Sequence, residues 1–418
     1  MPQNPKPIGM RALLGWGILG QLVYVASQFV TLLALTRFAS VEEVGIFGLA
    51  SAVVIPIFFF FDLGIRINVA ASAKSAYSFQ DFRILLLVSA FVGWCLVLLV
   101  GVIAVSGSTR TILLVLGATK FAESLSELCY GVFQRFDRMG LVAASLILRS
   151  VGGTIIFVSL LTTGAAVEQA FLAQLVVWSA VAVLVDHAMA RKLWRARGGH
   201  EGLDLGRIVH LARSSVFLAL NGLLSALQGN TPRYVIVWVL DVVALGQFTV
   251  VAYAMQAIST VTMAAMQSLT SRFARFIEER QRHALWRALR KILGALAVFA
   301  VCSVGAGFLL GDWLVRAVFG PDYANLGGLL AVCVLAASLR AVVLTLQMCL
   351  LAGRHFGQTL VIRTGSALVM LLACLFGGML WGLNGIAWGM CAALLLHVSA
   401  LAVAVRPLGL PQDDGTRR

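Results

Sequence analysis

Long apolar runs recur along this chain at a spacing that no water-soluble fold accommodates. Cutting the sequence at charges, glycines and prolines leaves apolar segments at 10–36, 44–71, 84–106, 110–133, 141–162, 167–190, 209–239, 245–271, 292–318, 325–352, 357–380 and 383–405. Each approaches or exceeds the roughly 20 residues a helix needs to cross the hydrocarbon layer. Of 418 residues 60% are apolar and 12% charged, and the mean hydropathy is +0.94. A soluble domain carries about 25% charged residues, so the excess apolar surface here has to face lipid. A soluble enzyme, a secreted disulfide scaffold and a disordered chain are excluded. The expected fold is an all-α polytopic membrane protein with about 12 transmembrane helices. The first segment is too long for a signal-peptide core and lacks a small-residue cleavage pattern, so it is expected to persist as a helix.

The longest polar stretch, Arg191 to Arg213 with Gly198-Gly199, divides these segments six and six. It predicts an N-terminal half over 1–197, a cytoplasmic linker over 198–208 and a C-terminal half over 209–418. Lys and Arg number 32 against 18 Asp and Glu. In a soluble protein this would point to nucleic acid; here it follows from the enrichment of Lys and Arg in cytoplasmic loops, and no nucleic-acid partner is expected. With the N-terminus inside, 23 of the 32 fall on the cytoplasmic side, among them Lys6, Lys74, Arg135, Arg138 and the clusters 191–213 and 272–291. Three, Arg37, Arg110 and Arg316, fall on the other. Both termini are therefore expected in the cytoplasm, with the basic stretch Arg272–Lys291 lying on anionic lipid. The seven cysteines sit inside apolar segments without a C-x-x-C, and the six histidines are scattered. No disulfide framework, metal site or cofactor is expected.

The halves resemble each other. Val44-Gly45-Ile46-Phe47 follows the first segment, and Leu245-Gly246-Gln247-Phe248 follows the seventh, 201 residues later. Gln21 and Gln28 on the first segment are mirrored by Asn221 and Gln228 on the seventh, seven residues apart in each case. Seven residues are about two helical turns, so each pair marks one face. Ser214 and Ser225 extend the second stripe. This pattern predicts a parallel repeat about an axis along the membrane normal, with Gln21, Gln28, Asn221, Ser225 and Gln228 lining a polar space. On the eighth segment Gln256, Thr260, Met263 and Gln267 form a semi-polar face that either lines that space or bonds a neighbouring helix. Pro56 and Pro232 are expected to interrupt their helices, as hinges or as tolerated kinks.

Gly15-Trp16-Gly17-Ile18-Leu19-Gly20 matches the dinucleotide-binding G-x-G-x-x-G, but no strand precedes it and it opens an apolar segment. Close helix packing explains it, and equally Gly353–Gly357 and Gly385–Gly389. No catalytic motif is visible and the non-cytoplasmic loops are short, so the chain is not expected to be an enzyme.

Beyond the 23 and 3 assigned to the two sides, six cations remain within the spans: Arg66, Lys120, Arg149, Arg233, Arg340 and Arg363. A cation at mid-bilayer costs at least about 2.5–3.5 kcal/mol, so each needs a partner or a wet cavity. Asp62 stands four residues before Arg66, and Lys120 has Glu123 and Glu127 on its own face, predicting local pairs. Arg233 follows Pro232 near an interface. Arg149, Arg340 and Arg363 have no acidic residue three or four positions away on their own helices. Arg149 and Arg363 lie about 10–12 Å inside their spans, on the fifth helix of each half. Setting the six cations against Asp62, Glu123 and Glu127 leaves a surplus of three. Cross-helix carboxylates, backbone carbonyls or an anionic substrate must match it. Arginine suits phosphate, whose oxygens its planar fork binds two at a time. Replacing Arg149, Arg340 or Arg363 with Ala is expected to reduce transport and leave abundance near normal.

The run Leu35-Thr36-Arg37-Phe38-Ala39-Ser40-Val41-Glu42-Glu43-Val44-Gly45-Ile46-Phe47, followed by Phe61-Asp62-Leu63-Gly64-Ile65, resembles the polysaccharide (O-antigen) flippase family. So do Thr231-Pro232-Arg233-Tyr234 with Ala244-Leu245-Gly246-Gln247-Phe248, Val318-Phe319-Gly320-Pro321-Asp322-Tyr323 and Gly382-Leu383-Asn384-Gly385-Ile386-Ala387. The resemblance implies two six-helix halves related by a pseudo-two-fold axis around a central cavity. It also implies export, by alternating access, of an undecaprenyl-pyrophosphate-linked oligosaccharide from the inner to the outer leaflet of the bacterial inner membrane. The lipid-linked oligosaccharide, membrane lipids and other polysaccharide-assembly membrane proteins are the partners so implied. In that setting the six cations hold the pyrophosphate and acidic sugars. The polar side chains, Gln256 included, line the cavity, and Asp62, Glu123 and Glu127 are candidates for ion coupling. A multidrug extrusion antiporter, from the same superfamily, is the alternative; it would show unpaired carboxylates in place of unpaired arginines.

Overall fold

A computed structural model of the chain describes residues 10–72, 77–198, 202–279, 281–353 and 355–407. Lys6, Lys74 and both termini lie outside those residues, as do the side chains of Met263, Gln267 and Arg272. The described chain is helical throughout: α1 (Met10–Phe38), α2 (Val41–Phe61), α3 (Ile65–Ala71), α4 (Phe79–Ile103), α5 (Gly107–Arg135) and α6 (Met139–Thr162) come first. Next, α7 (Val167–Ala180) passes through a π-helical turn, Val181–His187, into α8 (Ala188–Ala196). Then follow α9 (Leu205–Val239), α10 (Val242–Glu278), α11 (Arg282–Phe319), α12 (Gly327–Ala352) and α13 (Phe356–Val405).

Among the described residues, ten helical runs are long and apolar enough to cross a bilayer. Two facts bring these to twelve crossings. Helix α5, 29 residues long, is a further crossing, and its charges Lys120, Glu123 and Glu127 are held in ion pairs within the first unit. Helix α13 contains two non-helical residues, Trp381 and Gly382 (φ 58°), and a β-carbon on Gly377 would stand 2.1 Å from the Gly385 carbonyl oxygen. Eight residues apart in a straight helix would be about 12 Å; α13 therefore doubles back into two arms. Large apolar side chains point outward, as on α11, where Leu309 is 85% and Val301 75% exposed.

Helix starts explain the repeated motif. Ser40 caps α2: the Glu43 amide donates to its hydroxyl, and its own amide donates to the Glu43 carboxylate at 2.8 Å. Asp241, 201 residues on, caps α10 by accepting the Ala244 amide at 2.6 Å. Both caps satisfy amides that a helix start leaves without partners.

The prolines do not break their helices as expected. Helices α2 and α9 continue through Pro56 and Pro232, because a proline removes one hydrogen bond that the neighbouring turns can spare. The interruption falls later, at Leu63 and Gly64 with φ of 53° and 58°. Gly64 is required twice over, since a β-carbon there would also sit 2.2 Å from Leu218 Cδ2.

The chain forms two compact units, Met1–Leu227 and Gln228–Arg418. The division falls within α9. In the first unit α5 is central, touched by α2, α3, α4 and α7, while α1 runs along α6. Gly20 of the glycine-rich motif packs there: its β-carbon would lie 2.8 Å from Ala143 Cα. The N-terminal part of α9 joins this unit through Asn68 to Ser215 (2.9 Å), Tyr77 to His210 (2.8 Å) and Arg207 to Asp81 (2.8 Å). In the second unit α12 is central, touched by α10, α11 and α13. The fourth crossing is thus the core helix of each half.

Candidate functional site

In the first unit α5 presents Lys120, Glu123 and Glu127 within two turns. Glu123 is a shared counter-ion. Its Oε2 lies 2.6 Å from Lys120 Nζ and its Oε1 3.4 Å from Arg149 Nη2, which α6 brings in. Arg149 is 1% exposed, with its guanidinium 4.5 Å over the Trp178 ring and facing Tyr24 and Tyr130 at 5.9 and 5.7 Å. Glu127 pairs with Arg66 at 3.2 Å. That approach is possible because Gly131 lets α3 lie against α5: a β-carbon there would meet the Arg66 carbonyl oxygen at 2.9 Å.

Three expectations are corrected here. Asp62 and Arg66 do not pair, because the left-handed residues between them destroy the i, i+4 register. Asp62 instead accepts a hydrogen bond from Ser124. Arg149 does not lack a counter-ion, since a carboxylate on another helix reaches it. The surplus of three also omitted acids inside the apolar segments. Glu168 accepts from Ser108, Asp186 from Ser126 and Ser145, and Asp312 from the Gly327 amide. The expected Lys120–Glu123 pair is present; Glu127 is taken by Arg66.

The second unit has a different character. Arg340 is half-buried and has no hydrogen bond or ion pair among the described residues. Its guanidinium lies over Gly229, where a β-carbon would stand 3.6 Å from Nη2. The neighbouring charge within electrostatic range is another cation, Arg363. Arg363 donates to the Gln347 amide oxygen at 3.3 Å, and Gln347 faces buried His397 at 3.5 Å. Arg233 donates to Asn230 at 3.1 Å.

Counting from the helix starts sets the two halves side by side. Lys120 is the fourteenth residue of α5 and Arg340 the fourteenth of α12. Arg149 and Arg363 occupy the next helix in each half, at its eleventh and eighth residues. Each half thus carries a cation on its core helix and another on the following one. The first half places Glu123 three residues after Lys120; the second has Val343 three residues after Arg340. The sequence already matches Arg149 with Arg363 on the fifth helix of each half; the match of Lys120 with Arg340 emerges only on counting from the helix starts.

The polar stripes are dispersed in exposure. Gln21 and Gln256 are exposed, Gln28, Asn221 and Ser225 half-buried, and Gln228 buried with its amide donating to Ser366 at 2.9 Å. Among the described residues, no group of three or more His, Cys, Asp and Glu could hold a metal ion.

Comparison with known proteins bears on the whole chain. The sequence model of the polysaccharide biosynthesis protein family matches residues 13–277. The capsular polysaccharide biosynthesis protein CapF of Staphylococcus aureus is 22% identical over 298 residues, 71% of this chain and 74% of that protein. Among solved structures, an inward-facing multidrug resistance MATE family transporter of the MOP superfamily aligns with a TM-score of 0.64 at 13% identity, over 98% of both chains. The lipid II flippase MurJ in an inward closed conformation aligns with a TM-score of 0.62 at 13% identity, over 93% of this chain and 85% of that one. Built on the fold of these transporters and matched over most of its length, the chain belongs to the polysaccharide biosynthesis protein family.

Proposed function

We propose that this protein flips an undecaprenyl-pyrophosphate-linked oligosaccharide from the inner to the outer leaflet of the bacterial inner membrane, by alternating access, for surface polysaccharide assembly. The observation that carries the reading is Arg340. A cation within a membrane span needs compensation, and this half-buried one meets the like charge of Arg363 where the first half would supply a carboxylate. An anion on the substrate fills that role. A pyrophosphate offers paired oxygens to two guanidinium forks, and Gln347, Gln228 and Ser366 supply hydrogen-bonding groups in the same unit for sugar hydroxyls. The polyprenyl tail stays in lipid, since passage through a wet space would forfeit its favourable environment. The membership in a polysaccharide biosynthesis family supports the substrate class, and the likeness to transporters supports movement without covalent chemistry.

The test uses cells lacking the chain and complemented with variants. Loss of the protein should leave complete lipid-linked oligosaccharide on the inner leaflet, measured by lipid extraction with leaflet-specific labelling. Arg340→Ala should reproduce that accumulation at wild-type protein abundance. Val343→Glu should do the same, because residues three apart share a helix face and the new carboxylate would neutralise Arg340 as Glu123 neutralises Lys120. Export at the wild-type rate in both variants defeats the assignment. Normal surface polysaccharide with new drug sensitivity in the deletion strain would support a multidrug antiporter instead.

A further inference from the structure

Among the described residues Asp81, Arg149 and Asp186 are the fully buried Asp, Glu, Lys and Arg side chains; Asp81 pairs with Arg207 and Arg149 with Glu123. Asp186 has no such pair. It is 1% exposed, sits in the π-helical turn Val181–His187, and has no ion pair among the described residues. Its Oδ2 accepts from Ser126 and from Ser145, both at 2.8 Å. Its Oδ1 is buried without a partner among the described residues. Ionised, a carboxylate in that position leaves a lone pair-bearing oxygen uncompensated, which is costly in a low-dielectric interior.

The surrounding hydroxyls admit both protonation states. With the carboxylate, Ser126 and Ser145 donate to Oδ2. With the carboxylic acid, the Oδ2 proton donates to Ser145 Oγ, and the Ser145 hydroxyl turns to Tyr130, whose oxygen stands 2.8 Å away. Only hydrogens reorient between the two states; no heavy atom moves. The charged and titratable groups that face Asp186 come from α5 (Glu127, Cys129, Tyr130) and from α6 (Arg149); on its own turn the neighbouring His187 packs against Phe79. π-helical turns inside α-helices frequently occur at functional sites. A proton gained or lost here also has somewhere to register. The Arg149 guanidinium, shared between Glu123 and the Trp178 face, lies within electrostatic range of Asp186. An ionised Asp186 competes with Glu123 for Arg149 and so biases the contact of α5 with α6; a neutral one releases it.

We propose that Asp186 is a proton-binding site that couples the transport cycle to proton movement, a role the sequence suggested for Asp62, Glu123 and Glu127 instead. Those three are engaged with Ser124, Lys120 and Arg66. The step is a simple transfer. One proton passes between water at the Lys- and Arg-rich end of the bundle, ten residues or about 15 Å along α8, and the Asp186 carboxyl. Nothing is oxidised or reduced. The coupling rests on the transporter reading above, whereas proton binding at Asp186 does not.

Two measurements separate those claims. Infrared difference spectra of the purified full chain in lipid nanodiscs should show a carboxylic-acid C=O band that fades as pH rises and is absent from Asp186→Asn. Ser145→Ala should keep the band and move the pH at which it fades. No band in the wild-type minus Asp186→Asn difference, or one indifferent to pH, overturns the proposal. In proteoliposomes loaded with a pH-sensitive dye under an imposed pH gradient, undecaprenyl pyrophosphate added as probe should provoke proton movement in wild type and none in Asp186→Asn. Proton movement retained in the variant, or a dependence on sodium instead, overturns the coupling. If wild type neither moves the probe nor responds to it, the flippase reading fails and the infrared result alone decides Asp186.

Discussion

At the scale of single residues, the same side chain type plays opposite parts in the two units. Arg149 is stacked on Trp178 and bonded to Glu123; Arg340 has a glycine beneath it and a second arginine nearby. Substitution should therefore separate them. Removing one member of a buried ion pair costs about 3–5 kcal/mol, because the other is left charged and unpaired. Arg149→Ala loses its pair and its aromatic stacking, so its abundance should fall sharply on membrane immunoblots and its thermal midpoint in detergent should drop. Arg340→Ala removes a charge that nothing among the described residues balances, so abundance should hold while export fails. Equal abundance for the two would show that the Glu123 contact carries no structural load. The Lys120–Glu123 pair was legible in sequence, because both ends lie on one helix face. The Arg149–Glu123 pair was not: 26 residues and a helix reversal separate its ends. Asp186 was hidden behind the run Val181-Ala182-Val183-Leu184-Val185, which reads as plain membrane span.

At the scale of elements, turns and caps dominate what the sequence motifs encode. The segment around Ser40 is a capping box, that around Asp241 is a second cap, and Gly382 marks the reversal of α13. Such positions are legible because the cap residue and its partner are three apart in sequence. The prolines misled, since a ring that removes one helical bond does not by itself end a helix whose flanks are held by packing. What ends α2 is a left-handed pair that no single residue type announces, as Leu63 shares it with Gly64. Two glycines at φ 58° test the packing contribution. Gly107 has nothing within 4 Å of its β-carbon position, whereas Gly64 has Leu218 Cδ2 at 2.2 Å. A left-handed alanine costs about 1–2 kcal/mol. Gly107→Ala should lose about that much, and Gly64→Ala clearly more, in thermal unfolding of the purified protein. A Gly64→Ala midpoint equal to that of Gly107→Ala would mean that Leu218 yields without cost.

At the scale of the whole molecule, the twelve crossings were legible because apolar length is a local property that needs no knowledge of partners. The charges inside them were legible in position but not in consequence, because that depends on which helices meet. The orientation expected from the sequence rests on a bias of 23 to 3 in Lys and Arg between alternate loops, the kind of asymmetry that directs insertion in short-looped proteins. The two steps make a single prediction about the assembled protein. Alkaline phosphatase fused after Ser106, between the third and fourth crossings, should be active, and the same enzyme fused after Gly198 should be inactive, because it folds only outside the cytoplasm. A fluorescent protein that matures only in the cytoplasm should give the opposite pattern at both sites. With α13 reversing at Gly382, a fusion there should report the outer side and one after Arg406 the inner. If the Gly382 and Arg406 fusions reported the same side, α13 would not cross twice, and Arg363 would no longer be placed in a membrane-spanning arm beside Arg340. The proposed pyrophosphate site depends on that arm, so the topology measurement tests the anion site from a direction independent of any transport assay.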